Sequence, residues 1–414
     1  MTATALFNTS VMGMAAQASA LGAVAENIAN SGTVGYKDAT TQFSTVLSSV
    51  QRGGGGDAAG GVVAETRIDV TAQGNTQTTS STTDLAIQGA GFFVVANDSG
   101  QTFLTRAGSF VPDSEGRLVN SAGYYLMGYS ADESNAPSDV AGLDVLHVSL
   151  GKLIATPSTE GSLTANLPQN SSVVDPAELP STNSASATYT SKTSVTAYDN
   201  YGNAVTLDVY FSKTSDNNWE MAVFDASTAA TGGGFPYSAG PLTTQSLSFT
   251  STGALDSGSP ATITIPNGAD LTLDLSEMTQ LGSAFSVSDP TINGNPAQAV
   301  ASLNVNADGT LNYVLTGGQT VAAFKIPLAN VPSPAGLQAV TGNAFAANVN
   351  SGTTFVGLPG NGSFGAIASS RLESSTVDLA TQLSNMIVAQ RSYTANSQVF
   401  QVASEVMQVL NNMK

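Results

Sequence analysis

The sequence FNTSVMGMAAQASALGAVAENI, from Phe7 to Ile28, constrains the fold more than any other stretch of the chain. Its apolar residues recur at alternating spacings of four and three, which is the periodicity of an apolar seam along a coiled-coil helix. We therefore predict one helix over residues 3–29, ending at Asn30-Ser31-Gly32 because Gly and Asn tolerate the left-handed conformation that ends helices. The seam consists of Phe7, Val11, Met14, Ala18, Leu21, Ala25 and Ile28.

The other end of the chain carries a second seam, in a helical pattern that begins near Leu372. Its members are Val399, Val402, Val406, Val409 and Met413, and we assign Leu383 and Ile387 to the same apolar surface. The polar face of this helix is rich in Asn, Gln and Ser, with Glu405 as its one charge. Because a charge buried between copies would need a partner every time, such faces favour packing against identical neighbours.

Composition excludes several classes of protein. The chain has 414 residues, which favours two or three domains, and 10% of them are charged, against roughly a quarter in ordinary globular proteins. The net charge of −18 argues against nucleic acid or an anionic membrane as a partner, since both require a basic surface. There is no cysteine, so disulfides and thiolate metal sites are excluded.

The N-terminus does not have the pattern of a secretory signal. The first positive charge is Lys37, and Thr, Ser, Gly and Gln interrupt the apolar run. No stretch approaches the roughly 18 apolar residues of a membrane span. We therefore expect either a cytoplasmic protein or one exported by a route that needs no cleaved signal, without membrane insertion.

The middle of the chain has the pattern of antiparallel β structure. Short runs rich in apolar residues are separated by Gly, Asn and Asp turns, and two strong hairpin signals lie at residues 199–203 and at Asn267-Gly268. We predict an inner β domain from residues 76–145 and 295–369, with a more variable outer β domain, residues 146–294, inserted in it. The fold class is thus multidomain and mainly β, with N- and C-terminal α-helices, residues 1–33 and 370–414, forming a coiled-coil-like core domain.

Two glycine-rich segments lie where we expect the helical core and the β body to join. Residues 34–75 show little periodicity and are predicted to be a linker, and a second glycine-rich connector covers residues 357–365. The first lacks the strand, helix and Lys-Ser/Thr of a phosphate loop. We assign hinges to these segments, at Gly53, Gly56, Gly60, Gly61, Gly360 and Gly362.

Several runs of sequence resemble the bacterial flagellar rod and hook family over the whole chain. They are NIANSGTVGYK (27–37), DLAIQGAGFF (84–93), TRAGSF (105–110), LESSTVDLA (372–380) and MIVAQRSYTAN (386–396), of which the last two are the most specific. Asn27 and Asn30 of the first run join the predicted assembly surface. Thr376 stands where the family usually has Asn, a residue that can equally cap a helix. Gln382 stands close to a position where the family commonly has an acid, which puts one charge contact in doubt.

The resemblance implies a function that the residues alone do not. Family members assemble helically outside the bacterial cell, with terminal helices lining a central channel, and residues 146–294 resemble the outer domain of the hook-forming members. The implied role is a subunit of a hollow, curved, flexible tube that works as a universal joint between rod and filament. The implied partners are further copies of the chain, the hook cap, distal rod and hook–filament junction proteins, and the type III export apparatus.

The sequence gives little support for an enzyme. The sole histidine, His147, lies in an alternating run typical of a strand, and G-x-S-x-G does not occur. Residues 304–309 imitate the start of a calcium-binding loop, but Leu315 occupies the position that needs a bidentate Glu. We therefore predict no catalytic site, no metal and no cofactor.

Two other functions stay open at this point. A distal flagellar rod protein would share both terminal motifs but is expected to lack the outer β insertion. A secreted β-rich adhesin or glycan-binding protein would need an exposed aromatic cluster within residues 146–294, which Trp219 alone does not provide.

Overall fold

The computed structural model describes residues 3–47, 60–132, 137–288 and 290–412. The chain divides into two compact units. The first comprises Met1–Leu150, Ala301–Val314 and Gly318–Lys414, and the second comprises Gly151–Val300 and Leu315–Gly317. Among the described residues, no helix is long and apolar enough to cross a membrane.

The N-terminal part of the first unit contains one helix followed by strands. Helix α1 is Ala3–Ala29, as the apolar seam predicted, and it ends where the backbone and side-chain amides of Asn30 donate to the Glu26 carbonyl, both at 3.0 Å. The strands are β1 Ala39–Leu47, β2 Gly60–Ile68, β3 Thr76–Thr78, β4 Leu85–Gln88, β5 Phe92–Ala96, β6 Thr102–Thr105, β7 Phe110–Pro112, β8 Leu118–Asn120, β9 Tyr125–Ser130 and β10 Asp144–Val145.

The second unit is built from strands. They are β11 Leu153–Thr156, β12 Glu160–Ser162, β13 Ala165–Pro168, β14 Ser191–Tyr198, β15 Ala204–Ser215, β16 Asn218–Asp225, β17 Thr243–Phe249, β18 Leu255–Ser257, β19 Ala261–Thr264, β20 Asp270–Asp274, β21 Thr279–Leu281, β22 Ser286–Val287, β23 Thr291–Ile292 and β24 Asn295–Val305, the last of which extends into the residues of the first unit.

The chain then completes the first unit. The remaining strands are β25 Thr310–Leu315, β26 Thr320–Lys325, β27 Leu328–Asn330, β28 Gln338–Val340, β29 Ala344–Ala346, β30 Phe355–Gly357, β31 Ala366–Ser369 and β32 Arg371–Glu373, and the final helix α2 is Leu379–Asn412. Short 3₁₀ helices cover Val140–Gly142, Pro176–Glu178, Pro180–Thr182, Ala226–Thr228 and Pro334–Gly336.

A β body forms the centre of the first unit. Its strand order is β25-β26-β9-β5-β6-β29-β28, and every residue of β5 is buried. Strand β5 is flanked by β6, β9 and β27, so its uninterrupted apolar run FFVVA is explained by burial on both faces. Strand β5 therefore lies in the core of the β body.

The second unit has its own core. A five-stranded sheet, β14-β15-β16-β17-β18, and the strands of two smaller sheets share one apolar cluster that includes Trp219, Phe211 and Leu273. Both hairpin signals are confirmed: residues 199–203 connect β14 to β15, and Asn267, with a φ of 56°, turns between β19 and β20. This unit overlaps the outer domain proposed at residues 146–294.

The mainly β fold with terminal helices is confirmed, but the prediction of a linker at residues 34–75 missed a long hairpin. Strands β1 and β2 pair antiparallel from Ala39↔Ile68 to Leu47↔Gly60. Gly61 lies against the Met12 side chain, and Thr9 Oγ1 donates to the Gly60 carbonyl at 2.9 Å, so the hairpin packs along α1. The sequence signal is weak because most of the hairpin is exposed or half-buried, including Phe43, Val46 and Val63, so its residues lack the apolar and polar alternation used to predict strands.

Candidate functional site

The two terminal helices pack against each other in opposite directions. The rings of Phe7 in α1 and Phe400 in α2 are 4.5 Å apart, and Gly13 lies against the side chain of Asn396. At the other end of the pair, Val24 and Gln382 line the same cleft. Helices α1 and α2 thus form an antiparallel pair within one subunit.

Apart from the contact between Phe7 and Phe400, the buried residues of the two helices are mainly small or polar. On α1 the buried residues are Ser10, Gly13, Ala16, Ala23, Val24 and Asn27, and on α2 they are Gln382, Ala389 and Ala403. Small side chains allow the helix backbones to approach closely. The larger apolar side chains of the predicted seams stay half-buried or exposed.

The predicted seam residues lie on the outside or at the margin of the pair. On α1, Val11, Ala18 and Ala25 are exposed, whereas Phe7, Met14, Leu21 and Ile28 are half-buried. On α2, Leu383, Ile387 and Val402 are 52%, 51% and 59% exposed, and Val399, Val406 and Val409 are exposed as well. Met413 lies outside the described residues. The seams therefore do not form an intramolecular coiled coil.

An open apolar groove, with a volume of about 470 Å³, lies near the ends of the helices and faces solvent along α2. Its walls are Leu6 of α1 and Ala395, Gln398, Val399, Val402, Ala403 and Val406 of α2. Its size and apolar lining suit a helix of another chain.

Asn27 is buried within the chain, which corrects its assignment to the assembly surface, and Asn30 also makes hydrogen bonds within the chain. Asn27 is buried; its side-chain amide donates to the Ala39 carbonyl, and its Oδ1 accepts from the Ala39 amide, both at 2.8 Å. The Tyr36 hydroxyl also donates to Asn27 Oδ1, at 3.1 Å. Asn30 Oδ1 accepts from Thr33 Oγ1 at 3.1 Å. Both residues therefore shape the turn that leads out of α1.

A buried cluster of charged residues lies where both helices meet the β body. Glu373, at the end of β32, accepts from Lys37 Nζ and from an Arg106 guanidinium nitrogen at 3.3 Å. The Gly74 amide donates to Glu373 Oε1 at 2.8 Å, and the Lys37 ammonium also donates to the Ala72 carbonyl. All three charged side chains are buried. We call Lys37, Arg106 and Glu373 the Glu373 cluster.

The cluster contains two basic groups and one carboxylate. Burial lowers the pKa of the Lys37 ammonium, although Glu373 opposes that shift. Arg106 donates a further hydrogen bond to the Gly89 carbonyl at 2.8 Å, while its Nε has no partner among the described residues. Because Glu373 holds both basic groups, it is the residue whose loss leaves the most buried charge uncompensated.

The departures from the family motif have structural consequences. Thr376 does not cap α2: its Oγ1 accepts from the Asp38 amide at 2.9 Å, so it ties the two chain ends together. Asp378 caps the helix instead, by accepting from the Thr381 amide at 3.0 Å. Gln382 is buried between the helices, where an acid would need a cationic partner.

The structure also revises the placement of the hinges. Gly60 and Gly61 lie in the paired strand β2, whereas Gly53 and Gly56 lie outside the described residues. Gly360 and Gly362, both with positive φ, lie in the loop between β30 and β31 and not at the entrance to α2. The crossing between the β body and the helices is occupied by the Glu373 cluster, which sequence reasoning missed. One signal in the sequence could have revealed this cluster. Few residues of the chain are charged, yet Lys37 and Glu373 both lie within runs that resemble the family.

Other candidate sites have structural explanations. His147 forms an isolated β-bridge with Arg117, and the calcium-like run makes a turn in which Asp308 accepts from the Thr310 amide at 3.0 Å. Within the described ranges, no three His, Cys, Asp or Glu residues are grouped as metal ligands. In the second unit, Tyr210, Phe224 and Tyr237 cluster in a buried position, which does not provide the exposed aromatic surface expected of an adhesin.

Family models match four parts of the chain. "Flagella basal body rod protein" matches residues 7–37, and "Flagellar hook protein FlgE/F/G D1 domain" matches residues 86–171. "Flagellar basal body protein FlaE D2 domain" matches residues 166–295, and "Flagellar basal body rod FlgEFG protein C-terminal" matches residues 368–413. The matches at the two ends include the helices and the residues of the Glu373 cluster at positions 37 and 373.

Curated relatives match the chain over nearly its whole length. The flagellar hook protein FlgE of Brucella suis is 42% identical, over 99% of this chain and 98% of that protein. FlgE of Escherichia coli is 32% identical, over 99% of this chain and 100% of that protein. The crystal structure of Helicobacter pylori FlgE2 covers 72% of this chain and 100% of that chain, with a TM-score of 0.50 and 15% identity, which shows a shared fold alone. From these full-length matches, the chain belongs to the flagellar hook protein family.

Proposed function

We propose that this chain is a structural subunit that polymerises helically into the flagellar hook, a hollow, curved and flexible tube joining rod and filament. The observation that carries the proposal is the outward-facing apolar surface of the helix pair. A helix in an ordinary monomer turns its apolar stripe toward its own core. Here the stripe faces outward, so further copies of the chain are the natural source of its missing contacts.

The chemistry of this surface suits association between identical subunits. Burying one large aliphatic side chain contributes about 1.5–3 kcal/mol, so the exposed seam residues together help to offset the entropic cost of association. The charged residues of α1 and α2 are Glu26, Arg391 and Glu405. With so few charges, the contact depends little on screening by salt.

The proposed subunit acts by packing and not by catalysis. Its proposed partners are other copies, the hook cap, distal rod and hook–filament junction proteins, and the type III export apparatus. Its proposed location is the extracellular hook of the flagellum. The matching outer-domain model at residues 166–295 and the full-length hook relatives favour this role over that of a distal rod subunit.

Bending a rotating tube requires each row of subunits to lengthen and shorten in every turn. We propose that the loop containing Gly360 and Gly362 provides compliance for this motion. The support is its glycine content and the positive φ values at both glycines.

Electron microscopy of the purified protein tests the proposed function. We expect hollow tubes of hook width from the unaltered chain and none from the double variant Val402→Asp/Val406→Asp, because both side chains are exposed and their replacement spares the monomer core. Gln401→Asp adds charge at an exposed position of the same helix and is expected to retain tubes. Normal tubes from the double variant, or none from the unaltered chain, would contradict the proposal.

A further inference from the structure

We propose that the Glu373 cluster is a positioning device that fixes the direction in which α1 and α2 leave the β body. The inference rests on the proposed function, because the direction of the helices matters through the geometry of the assembled tube. It assigns this task to Lys37, Arg106 and Glu373, which come from three separated parts of the chain.

The first support is the way the cluster connects these parts. Lys37 follows the turn after α1, and Glu373 precedes α2, while Arg106 lies just after β6 in the β body. The backbone reinforces the connection: the Gly35 amide donates to the Glu373 carbonyl at 2.7 Å, and the Thr376 amide donates to the Tyr36 carbonyl at 3.1 Å. The two helix ends are therefore bound to each other and to one cation of the β body.

The second support is the close packing around the cluster. Gly35 has a φ of +66°, and a Cβ there would lie 2.7 Å from the Arg106 carbonyl carbon. Burial of all three charged side chains excludes water as a substitute partner. The close packing leaves the Glu373 cluster little room for another arrangement. Loss of the Glu373 carboxylate leaves the Lys37 and Arg106 cations without a shared anion.

The test compares three single variants with the unaltered protein. Glu373→Gln keeps the side-chain shape but removes the shared charge. Lys37→Met leaves Arg106 and Glu373 as a balanced pair. Glu65→Gln is the matched control, because Glu65 in β2 faces Arg67 at 3.9 Å with both side chains largely exposed.

Hydrogen exchange of the monomer gives the first readout. In Glu373→Gln we expect the amide of Gly74 to exchange about tenfold faster or more, since its bond to the charged carboxylate is replaced by a bond to a neutral amide oxygen. The amide of Gly35, which donates to the backbone carbonyl of residue 373, should also exchange faster if the cluster holds the crossing in place. Lys37→Met should retain protection of Gly74, and Glu65→Gln should match the unaltered protein. Unchanged exchange in Glu373→Gln, or an equal change in Glu65→Gln, would overturn the inference.

The spread of tube curvature in electron micrographs gives the second readout. We expect a broader distribution for Glu373→Gln and Lys37→Met than for Glu65→Gln, whereas a merely stabilising role would lower the unfolding midpoint without broadening it. If Glu373→Gln does not fold, Lys37→Met decides, and uniform tubes with normal curvature overturn the inference. If the unaltered protein forms no tubes, the proposed function fails, while the exchange measurement still decides whether the cluster holds the crossing together.

Discussion

Gly13 of α1 lies directly against the side-chain amide of Asn396 in α2, so that a Cβ at Gly13 would be 2.8 Å from Asn396 Oδ1. Glycine in a helix interior costs about 1 kcal/mol relative to alanine. At this position the cost is offset by close approach of the two helices. At Gly22, which has nothing within 4 Å of a Cβ, no such compensation exists.

We predict opposite effects for the same substitution at these two glycines. Gly13→Ala should destabilise the helix pair by about 1–3 kcal/mol through overpacking, less the gain in helix propensity. Gly22→Ala should stabilise α1 by up to about 1 kcal/mol. Thermal unfolding followed by circular dichroism measures both, and equal stabilisation by the two variants would show that the contact with Asn396 is not restrictive.

The terminal helices should be less protected than the β body in the free subunit. Their inner contact is built from small and polar residues, so it buries little apolar surface, and their apolar seams lack partners. Hydrogen exchange should therefore be faster in residues 5–29 and 383–412 than in β5, and should slow when tubes form. Protection of the helices equal to that of the β body in the monomer would contradict this prediction.

Substitutions in the Glu373 cluster should be unequal in their effects on stability. Glu373→Gln should cost about 3–5 kcal/mol, because it leaves two buried cations without a carboxylate. Lys37→Met should cost less, since Arg106 still pairs with Glu373 at 3.3 Å. Urea unfolding at neutral pH measures the difference, and an equal or larger loss in Lys37→Met would argue against a shared carboxylate.

The protein should lose stability in alkaline solution through Tyr36. Burial, followed by the charges of Glu26 and Asp38, raises the pKa of its hydroxyl to about 12. In the unfolded chain the pKa is about 10. The contribution of the protonated hydroxyl is therefore complete below pH ~10 and is lost as the pH rises through the folded-state pKa.

Urea unfolding midpoints measured at several pH values from about 10 to about 12 check the role of Tyr36. Tyr36→Phe should show a shallower decline, although it loses the hydrogen bond to Asn27 at 3.1 Å. Tyr201→Phe, at a residue that is 74% exposed, is the matched control and should decline like the unaltered protein. Identical slopes for Tyr36→Phe and the unaltered protein would refute the assignment.

The helices and several turns were predictable because their signals are local. The four-and-three spacing from Phe7 to Ile28 indicates a helix whatever its surroundings, and Asn267-Gly268 favours a tight turn on its own backbone preferences. The hairpin of β1 and β2 was not predictable in this way. Its strands are largely exposed and depend on contacts with α1, such as the one between Gly61 and Met12.

The periodicity of Phe7 to Ile28 and of Val399 to Val409 is enough to predict helices with continuous apolar surfaces, because helical periodicity is a property of neighbouring residues. Which face of each helix turns inward depends on tertiary contacts, since Gly13 and Asn396 meet from opposite ends of the chain. Tertiary contacts also bring Lys37, Arg106 and Glu373 into one buried site. Contacts between residues so distant in sequence leave no periodic signal in either segment.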